Sequence, residues 1–207
     1  MREPNQDQQT VEKPILASIR GRGRGAVFVP TDFLEFGNRK AIDVALHRLV
    51  KKGVIRRLAR GVYDFPKEHP VLGELMPTAE AIAKALAGRD HTSIQPAGAY
   101  AANTLGLSEQ VPAKAIFLTD GPTRSVTVGP QTIQLRHTTP RNMAAAGRLS
   151  GLLIQAFREL GKEHITPERI SQLKKKLPIE KRKAIVKDIK LAPAWMRPLF
   201  YELAEDA

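Results

Sequence analysis

Hydrophobic and polar positions alternate most regularly between residues 38 and 53. Ile42, Ala45, Leu46 and Leu49 recur at the spacing i, i+3, i+4 and i+7, which places an apolar stripe along one side of a helix. The pattern therefore predicts an amphipathic helix whose apolar stripe is buried.

Specific residues mark both ends of this helix and the segment that follows. Asn38 is a favoured N-cap, and Gly53 suits the position after the last turn because it lacks a Cβ. Two β-prone runs follow, at residues 54–59 and 62–65, and an Arg-Gly pair separates them. They predict a tight hairpin, with a bulge because the alternation is imperfect.

The opposite side of the helix is basic around one apolar residue, since Lys40, Val44, His47 and Lys51 share it. Between residues 39 and 60, eight Lys or Arg stand against a single acid, which is the footprint of a nucleic-acid-binding surface. A helix and hairpin whose charges are merely solvated is the alternative. The candidate DNA-binding residues are Arg22, Arg24, Thr31, Asn38, Arg39, Lys40, Val44, His47, Arg48, Lys51, Lys52, Arg56, Arg57 and Arg60.

The segment before this helix completes a recognisable order of elements. Residues 1–9 read as a disordered tail and residues 11–19 as a first helix. Residues 20–25, Arg-Gly-Arg-Gly-Arg-Gly, predict a flexible loop lying against phosphates or a minor groove, with a solvated loop as the alternative. Residues 26–29 predict a short strand, and Thr31 an N-cap for a brief helix. This order is typical of a winged helix-turn-helix.

A turn-rich junction at residues 66–70 predicts a domain boundary. The expected fold class is α+β. We expect residues 1–66 to form a winged helix-turn-helix DNA-binding domain with a disordered N-terminal tail. Residues 67–207 are expected to form an α+β domain with a small antiparallel sheet and a helical C-terminal part.

Within the second domain, residues 115–119, 125–128 and 132–136 predict the antiparallel sheet. The apolar stripe at residues 149–160 predicts a buried helix, and Trp195 lies in a further stripe and is expected to be packed. A second basic concentration lies between these stripes, and a solvated surface and a binding surface both remain open for it. Its residues are Lys174, Lys175, Lys176, Lys181, Arg182 and Lys183.

Charge and composition narrow the function classes. Residues 1–65 and 141–207 each carry a net +6, whereas residues 66–140 are neutral, so localised contact faces are expected rather than a uniformly basic surface. The chain has no Cys, which excludes disulfides and thiolate metal sites. It has neither a membrane-spanning apolar run nor a signal-peptide core, so we expect a cytoplasmic protein without membrane contacts.

Catalysis finds little support in the sequence. The five histidines are scattered, and there is no paired-histidine metal motif, nucleophile elbow or phosphate loop. We therefore predict no enzyme activity, catalytic residue, metal or cofactor, although a constellation assembled by folding stays open.

Three segments together resemble the AbiEi-type antitoxins of abortive-infection, type IV toxin–antitoxin systems. They are VALHRLVKKGVIRRLARGVYDFP, PAGAYAANTLGL and AIFLTDGPTRSVTVG, followed by a basic helical tail; the resemblance covers residues 10–205. It implies a bacterial antitoxin whose winged domain binds promoter or operator DNA and represses its own operon. Its C-terminal domain would antagonise a nucleotidyltransferase toxin, either by direct contact or through the toxin's target.

An alternative from another class is a winged-helix module that binds a protein or RNA and has no DNA operator. A neighbouring gene for a nucleotidyltransferase-like toxin would distinguish the two hypotheses.

Overall fold

The computed structural model describes residues 6–88 and 91–205, with the side chains of the first helix from Val11 onward. The protein belongs to the α+β class and contains small antiparallel sheets, as predicted. Among the described residues, no helix combines the length and the apolar character needed to cross a membrane.

The chain forms two compact units. The first comprises residues 1–91 together with 127–129, and the second comprises residues 92–126 and 130–207. The junction expected at residues 66–70 thus lies within the first unit. Whether residues 1–66 fold by themselves stays a prediction.

Two helices, α1 (Gln6–Arg22) and α2 (Arg39–Lys51), form the core of the first unit. Residues 1–5 of the expected disordered tail lie outside the described residues, whereas residues 6–9 are part of α1 and the expectation is wrong for them. The apolar stripes of both helices are buried, as predicted. Their buried residues are Val11, Ile15, Ile19, Ile42, Ala45, Leu46 and Leu49.

Both predicted ends of α2 are confirmed. The Asn38 side-chain oxygen accepts a hydrogen bond from the backbone N–H three residues on, at 2.9 Å. At the other end Gly53 takes a φ of +67°, which a residue without Cβ adopts at little cost. Its N–H donates to the Val50 carbonyl, and the Val54 N–H donates to the Leu49 carbonyl, both at 3.0 Å. This pair of bonds is a Schellman motif.

A three-stranded antiparallel sheet completes the core of the first unit. Its strands are β1 (Val27–Phe28), β2 (Arg56–Ala59) and β3 (Val62–Asp64), in the order β1-β3-β2. The turn between β2 and β3 contains Gly61 with a φ of +72°. The register shifts in the middle of β2, which confirms the predicted bulge.

The segment before α2 forms a 3-10 helix, Pro30–Phe36, and corrects the prediction for Thr31. Proline suits the first helical position because its φ is preset and its missing N–H would be unpaired there. The helix therefore begins at Pro30, and Val29 is the N-cap. The Asp32 carboxylate accepts the Val29 N–H at 3.3 Å. The Thr31 hydroxyl is buried and has no hydrogen-bond partner among the described residues.

Residues beyond the expected boundary continue the first unit. They form a second hairpin, β4 (Lys67–His69) and β5 (Gly73–Leu75), and then helix α3 (Ala79–Gly88). Helix α3 packs near β1 and β3 and buries Ile82 and Ala83. These contacts explain why the turn-rich junction is not the edge of the unit.

The largest sheet contains β6 (Ile94–Ala97), β7 (Lys114–Thr119), β8 (Arg124–Val128) and β9 (Gln131–His137). The strand order is β6-β7-β9-β8; β6 and β7 are antiparallel, but β7 and β9 are parallel. The sheet that was expected here to be antiparallel is therefore mixed, with one parallel pair of strands. The central strands, β7 and β9, each bury two or more apolar residues, whereas the edge strand β8 is more exposed and buries only Val128.

Helices supply the main hydrophobic core of the second unit. Leu153, Ala156 and Phe157 of the predicted stripe are buried, and Trp195 packs against the same core. A 3-10 helix, Ile185–Leu191, precedes the last helix. The helices are α4 (Gly98–Thr104), α5 (Pro140–Met143), α6 (Leu149–Leu160), α7 (Pro167–Lys176), α8 (Ile179–Ala184) and α9 (Arg197–Ala204).

Gly151 in α6 provides a sharp test of packing in the second unit. A Cβ there would lie 2.2 Å from the Ala145 carbonyl oxygen and 2.6 Å from the Gln95 side-chain oxygen. We expect Gly151→Ala to lower the free energy of unfolding by ~1–3 kcal/mol in urea denaturation. Gly21→Ala is the matched control, because nothing lies within 4 Å of its Cβ position and alanine favours the helix. Equal unfolding midpoints for Gly151→Ala and the wild type would contradict this packing.

Candidate nucleic-acid interface

The solvent side of α2 brings together the basic residues predicted to face DNA. Lys40, His47 and Lys51 are exposed around the half-buried Val44. Together with Arg39, Asp43 and Arg48 they line a shallow depression along the helix. Within residues 6–88 and 91–205, none of the Lys40, His47 and Lys51 side chains has an ion pair or hydrogen bond. This face therefore presents uncompensated positive charge around a small apolar centre.

The single acid on this face, Asp43, holds Arg39. The Arg39 Nε lies 3.0 and 3.1 Å from the two oxygens of the Asp43 carboxylate, one helical turn away. Only Nε is used in this contact, so the two terminal Nη groups keep their donors. The carboxylate fixes the guanidinium without consuming its outer edge.

Two arginines predicted to lie in a flexible loop have partners within the first unit. Helix α1 continues to Arg22, whose Nη1 lies 2.7 Å from Asp32 and whose guanidinium stacks over the Phe33 ring. Arg24 donates to the Pro66 carbonyl at 2.9 Å and lies over Phe65. The prediction of a loop is wrong for residues 20–22, which belong to α1, and cation–π contacts hold both arginines against the first unit.

Arg56 is likewise engaged in the fold. It contacts the Asp64 carboxylate through two nitrogens, at 3.1 and 2.6 Å, and also reaches Glu74 and the Leu75 carbonyl. Asp64 is fully buried. The hydrogen bond to Asp64 is the main cause that raises the pKa of Arg56. A basic group whose pKa is higher in the folded than in the unfolded protein stabilises the fold at every pH below its unfolded pKa. The stabilisation by the charged Arg56 is therefore lost only at strongly alkaline pH.

The remaining residues that were predicted to contact DNA fall into two groups: some are engaged within the fold, and others face solvent. Lys52 forms an ion pair with Glu12 of α1, and the Asn38 oxygen caps α2. Arg57 is exposed on β2, with a single long contact from its Nε to the Ala59 carbonyl at 3.4 Å. Arg60 is exposed in the turn of the β2–β3 hairpin. Arg57 and Arg60 are thus the hairpin cations that face solvent.

One residue of the second basic concentration, Arg182, is engaged within the fold. Arg182 is buried and donates to the carbonyls of Leu203 at 2.8 Å, Glu205 at 2.7 Å and Leu177 at 3.2 Å. Its guanidinium satisfies carbonyls at the end of α9, a role that the run of Lys and Arg did not indicate. The other five residues are lysines on α7 and α8, and only Lys174 among them is half-buried. Their role as a binding face stays a prediction.

No metal-binding cluster accompanies these residues. Within the part of the chain that the structure describes, no three His, Asp or Glu side chains are grouped to hold an ion.

Comparison with other proteins places the chain in a family. A family model, described as a family of unknown function, DUF6088, matches residues 14–185. The chain belongs to this DUF6088 family. No curated protein matches the chain. A similar solved structure is that of the RV2827C protein from Mycobacterium tuberculosis, with 14% sequence identity and a TM-score of 0.45. The alignment covers 100% of this chain and 85% of that one, and likeness at this level supports no further conclusion.

Substitutions of the two neighbouring arginines of β2 are predicted to have very different effects on stability. We expect Arg56→Ala to cost ~3 kcal/mol, at the low end for a broken buried pair, because Arg56 is 25% exposed while Asp64 would stay buried without its partner. Arg57→Ala removes the same charge from the exposed side and should change stability by less than ~0.5 kcal/mol. Urea denaturation of both variants measures the difference. Equal losses would show that Arg56 is not the residue that compensates Asp64.

Proposed function

We propose that the protein binds double-stranded DNA by inserting α2 into the major groove. The observation that carries this proposal is the outward face of α2, where Lys40, His47 and Lys51 surround Val44 without partners among the described residues. Other cations of the first unit, such as Arg22, are tied to acids. Positive side chains that have no partner and lie together on one exposed helix attract a polyanionic partner.

The arrangement around α2 supports interpreting the first unit as a winged helix. Helix α1, strand β1, the 3-10 helix, α2 and the β2–β3 hairpin follow in that order, and the sheet order is β1-β3-β2. In winged domains the last helix before the hairpin enters the major groove and the hairpin lies beside the DNA. The Schellman motif joins α2 directly to β2, so the helix and the hairpin carry their cations on consecutive elements.

Base recognition in this proposal falls to the part of α2 from Arg39 to His47. Arg39 presents its two Nη groups, a pair of donors that matches the O6 and N7 acceptors of guanine, while Asp43 holds Nε. Lys40 and His47 reach further acceptors, and Val44 meets a thymine methyl group. Lys51, Arg57 and Arg60 contact phosphates, which supply affinity without sequence preference.

Substitutions on α2 test this assignment. We expect Lys40→Ala and His47→Ala each to change base preference at one or two positions by ~1–3 kcal/mol, and Val44→Asp to abolish specific binding because it places a carboxylate against the bases. Gel shifts of the full chain on DNA from upstream of its gene, and on duplexes selected from random sequence, measure these effects. Lys114→Ala in the second unit removes the same charge and should bind like the wild type.

Variants of the β2–β3 hairpin in the same assay distinguish contacts with phosphates from contacts with bases. Arg57→Ala and Arg60→Ala should weaken binding to all sequences alike and reduce the salt slope by ~1 per lost contact. Wild-type binding by all the α2 variants would refute the groove assignment. A shift of RNA hairpins without any shift of duplex DNA would instead favour an RNA-interaction module.

We further propose that the protein is an antitoxin that represses its own operon. This narrower role rests on the resemblance of its helix–hairpin segment and its later segments to AbiEi-type antitoxins. In this proposal the first unit binds the operator, and the remainder of the chain antagonises a nucleotidyltransferase toxin, by direct contact or through the toxin's target. The two tasks then use different residues.

The antitoxin role requires a neighbouring gene for a nucleotidyltransferase, and co-expression of the full chain with the product of that gene tests it. We expect the wild type to restore growth and to repress a reporter driven by its promoter. Val44→Asp should restore growth equally well while losing repression, because only the DNA-reading face is altered. Failure of the wild type to restore growth would refute the antitoxin role, whereas loss of growth rescue in Val44→Asp would refute the division of tasks.

A further inference from the structure

A polar pocket lies in the second unit, beside the carboxyl ends of the parallel strands β7 and β9. Leu118 of β7 and Arg136 of β9 are paired in register and lie side by side in its wall. Helix α6 contributes Gln155, Arg158 and Glu159 to the same pocket. Open sheets with parallel strands commonly bind ligands outside the carboxyl ends of those strands.

A short hydrogen-bond chain fixes the direction of the donors in this pocket. Arg158 donates from Nη1 to the Asn142 side-chain oxygen at 3.2 Å, and the Asn142 nitrogen donates to the Thr138 hydroxyl at 2.9 Å. Because the Thr138 oxygen already accepts a bond, its hydrogen is available to an acceptor in the pocket. The chain therefore ends in donors rather than acceptors.

Gln155 adds a side-chain amide to the wall of this pocket. Its residue is only 7% exposed and lines the pocket, yet its side-chain amide makes no hydrogen bond within the described residues. The amide is therefore free to bind a ligand in the pocket, either by donating or by accepting a hydrogen bond.

The charges around the pocket narrow the ligand class. Neither Arg136 nor Glu159 forms an ion pair within residues 6–88 and 91–205, although both line the pocket. Two guanidinium groups and the Thr138 hydroxyl suit a group with several acceptor oxygens, as a phosphate has. The Glu159 carboxylate can only accept, so it suits a hydroxyl of the same ligand.

We propose that this pocket binds a ribose phosphate, with the phosphate held by Arg136, Arg158 and Thr138 and a ribose hydroxyl donating to Glu159. Gln155 contacts the ligand from the buried side. The chemistry is shared by free nucleotides and by the phosphorylated end of an RNA strand. This site is separate in its residues from the proposed DNA-binding face of α2, and it stands whether or not that face binds DNA.

Isothermal titration calorimetry on the full chain at 0.15 M salt tests the proposal, since that ionic strength screens general attraction between exposed charges. The probes are inorganic phosphate, ribose, ribose 5-phosphate, adenosine 5′-monophosphate and a 5′-phosphorylated RNA trinucleotide. Ribose 5-phosphate should bind more tightly than phosphate or ribose. Tighter binding of the mononucleotide or of the trinucleotide then identifies the source of the ribose phosphate.

Variants assign the contacts. Arg136→Ala and Arg158→Ala should each weaken binding of ribose 5-phosphate at least tenfold, and both residues are exposed, so folding should be preserved. Glu159→Gln should retain phosphate binding and lose the preference for ribose 5-phosphate. Gln155→Leu keeps the shape of the buried side chain and should leave the unfolding midpoint at or above that of the wild type while weakening the ligand.

Arg141→Ala is the matched control, because Arg141 is an exposed arginine of α5 that does not line the pocket. It should bind ribose 5-phosphate like the wild type. Absence of binding by every ribose phosphate overturns the proposal, and so does equal affinity of the wild type and a folded Arg136→Ala, Arg158→Ala double variant. Neither result bears on DNA binding by α2.

Discussion

A carboxylate without solvent contact constrains the first unit more than any other single group. Asp64 lies at the end of β3 and is fully buried, so its charge must be met within the protein. Arg56, directly opposite in the register of β2, meets it with two nitrogens and extends the same guanidinium to the Leu75 carbonyl of β5. One side chain thereby joins two hairpins.

This pairing also decides which cations are left for a partner. Successive residues of a strand point to opposite sides, so Arg57 faces solvent because Arg56 faces Asp64. The same division applies to the ends of α1 and α2, where Arg22 and Lys52 are tied to acids. The outward face of α2 differs because its one acid is already matched by Arg39. Net charge alone therefore overstates the surface available to a polyanion.

Short-range patterns predicted much of the first unit. The stripe containing Ile42 and Leu46, the Asn38 cap and the Gly61 turn depend on neighbours within a few residues, and all three are confirmed. The N-cap predicted at Thr31 lies two residues earlier, at Val29, because the proline at position 30 sets the start of the helix. Local rules specify elements well, and they place element ends less reliably.

Long-range pairing explains the features that the sequence did not predict. The carboxylate that Arg56 contacts lies 8 residues away, and Arg182 reaches carbonyls 21 and 23 residues away. A basic run in the sequence therefore does not distinguish a buried guanidinium from a solvated one. The parallel pairing of β7 with β9 is equally non-local, because the chain forms β8 before it returns. The pocket beside these strands draws residues from five elements or their flanks and has no sequence motif. The periodicity of a sequence does not reveal a site that is built from residues far apart in the chain.

Arg182 has a consequence for the carboxyl-terminal segment. Its buried guanidinium donates to the carbonyls of Leu203 and Glu205, so the last described residues supply acceptors for a buried charge in the second unit. Proteolytic trimming within α9 would leave that charge with too few acceptors, which is among the costliest defects a protein interior can carry. Loss of these residues would therefore lower the stability of the second unit as a whole, although they lie far along the chain from Arg182.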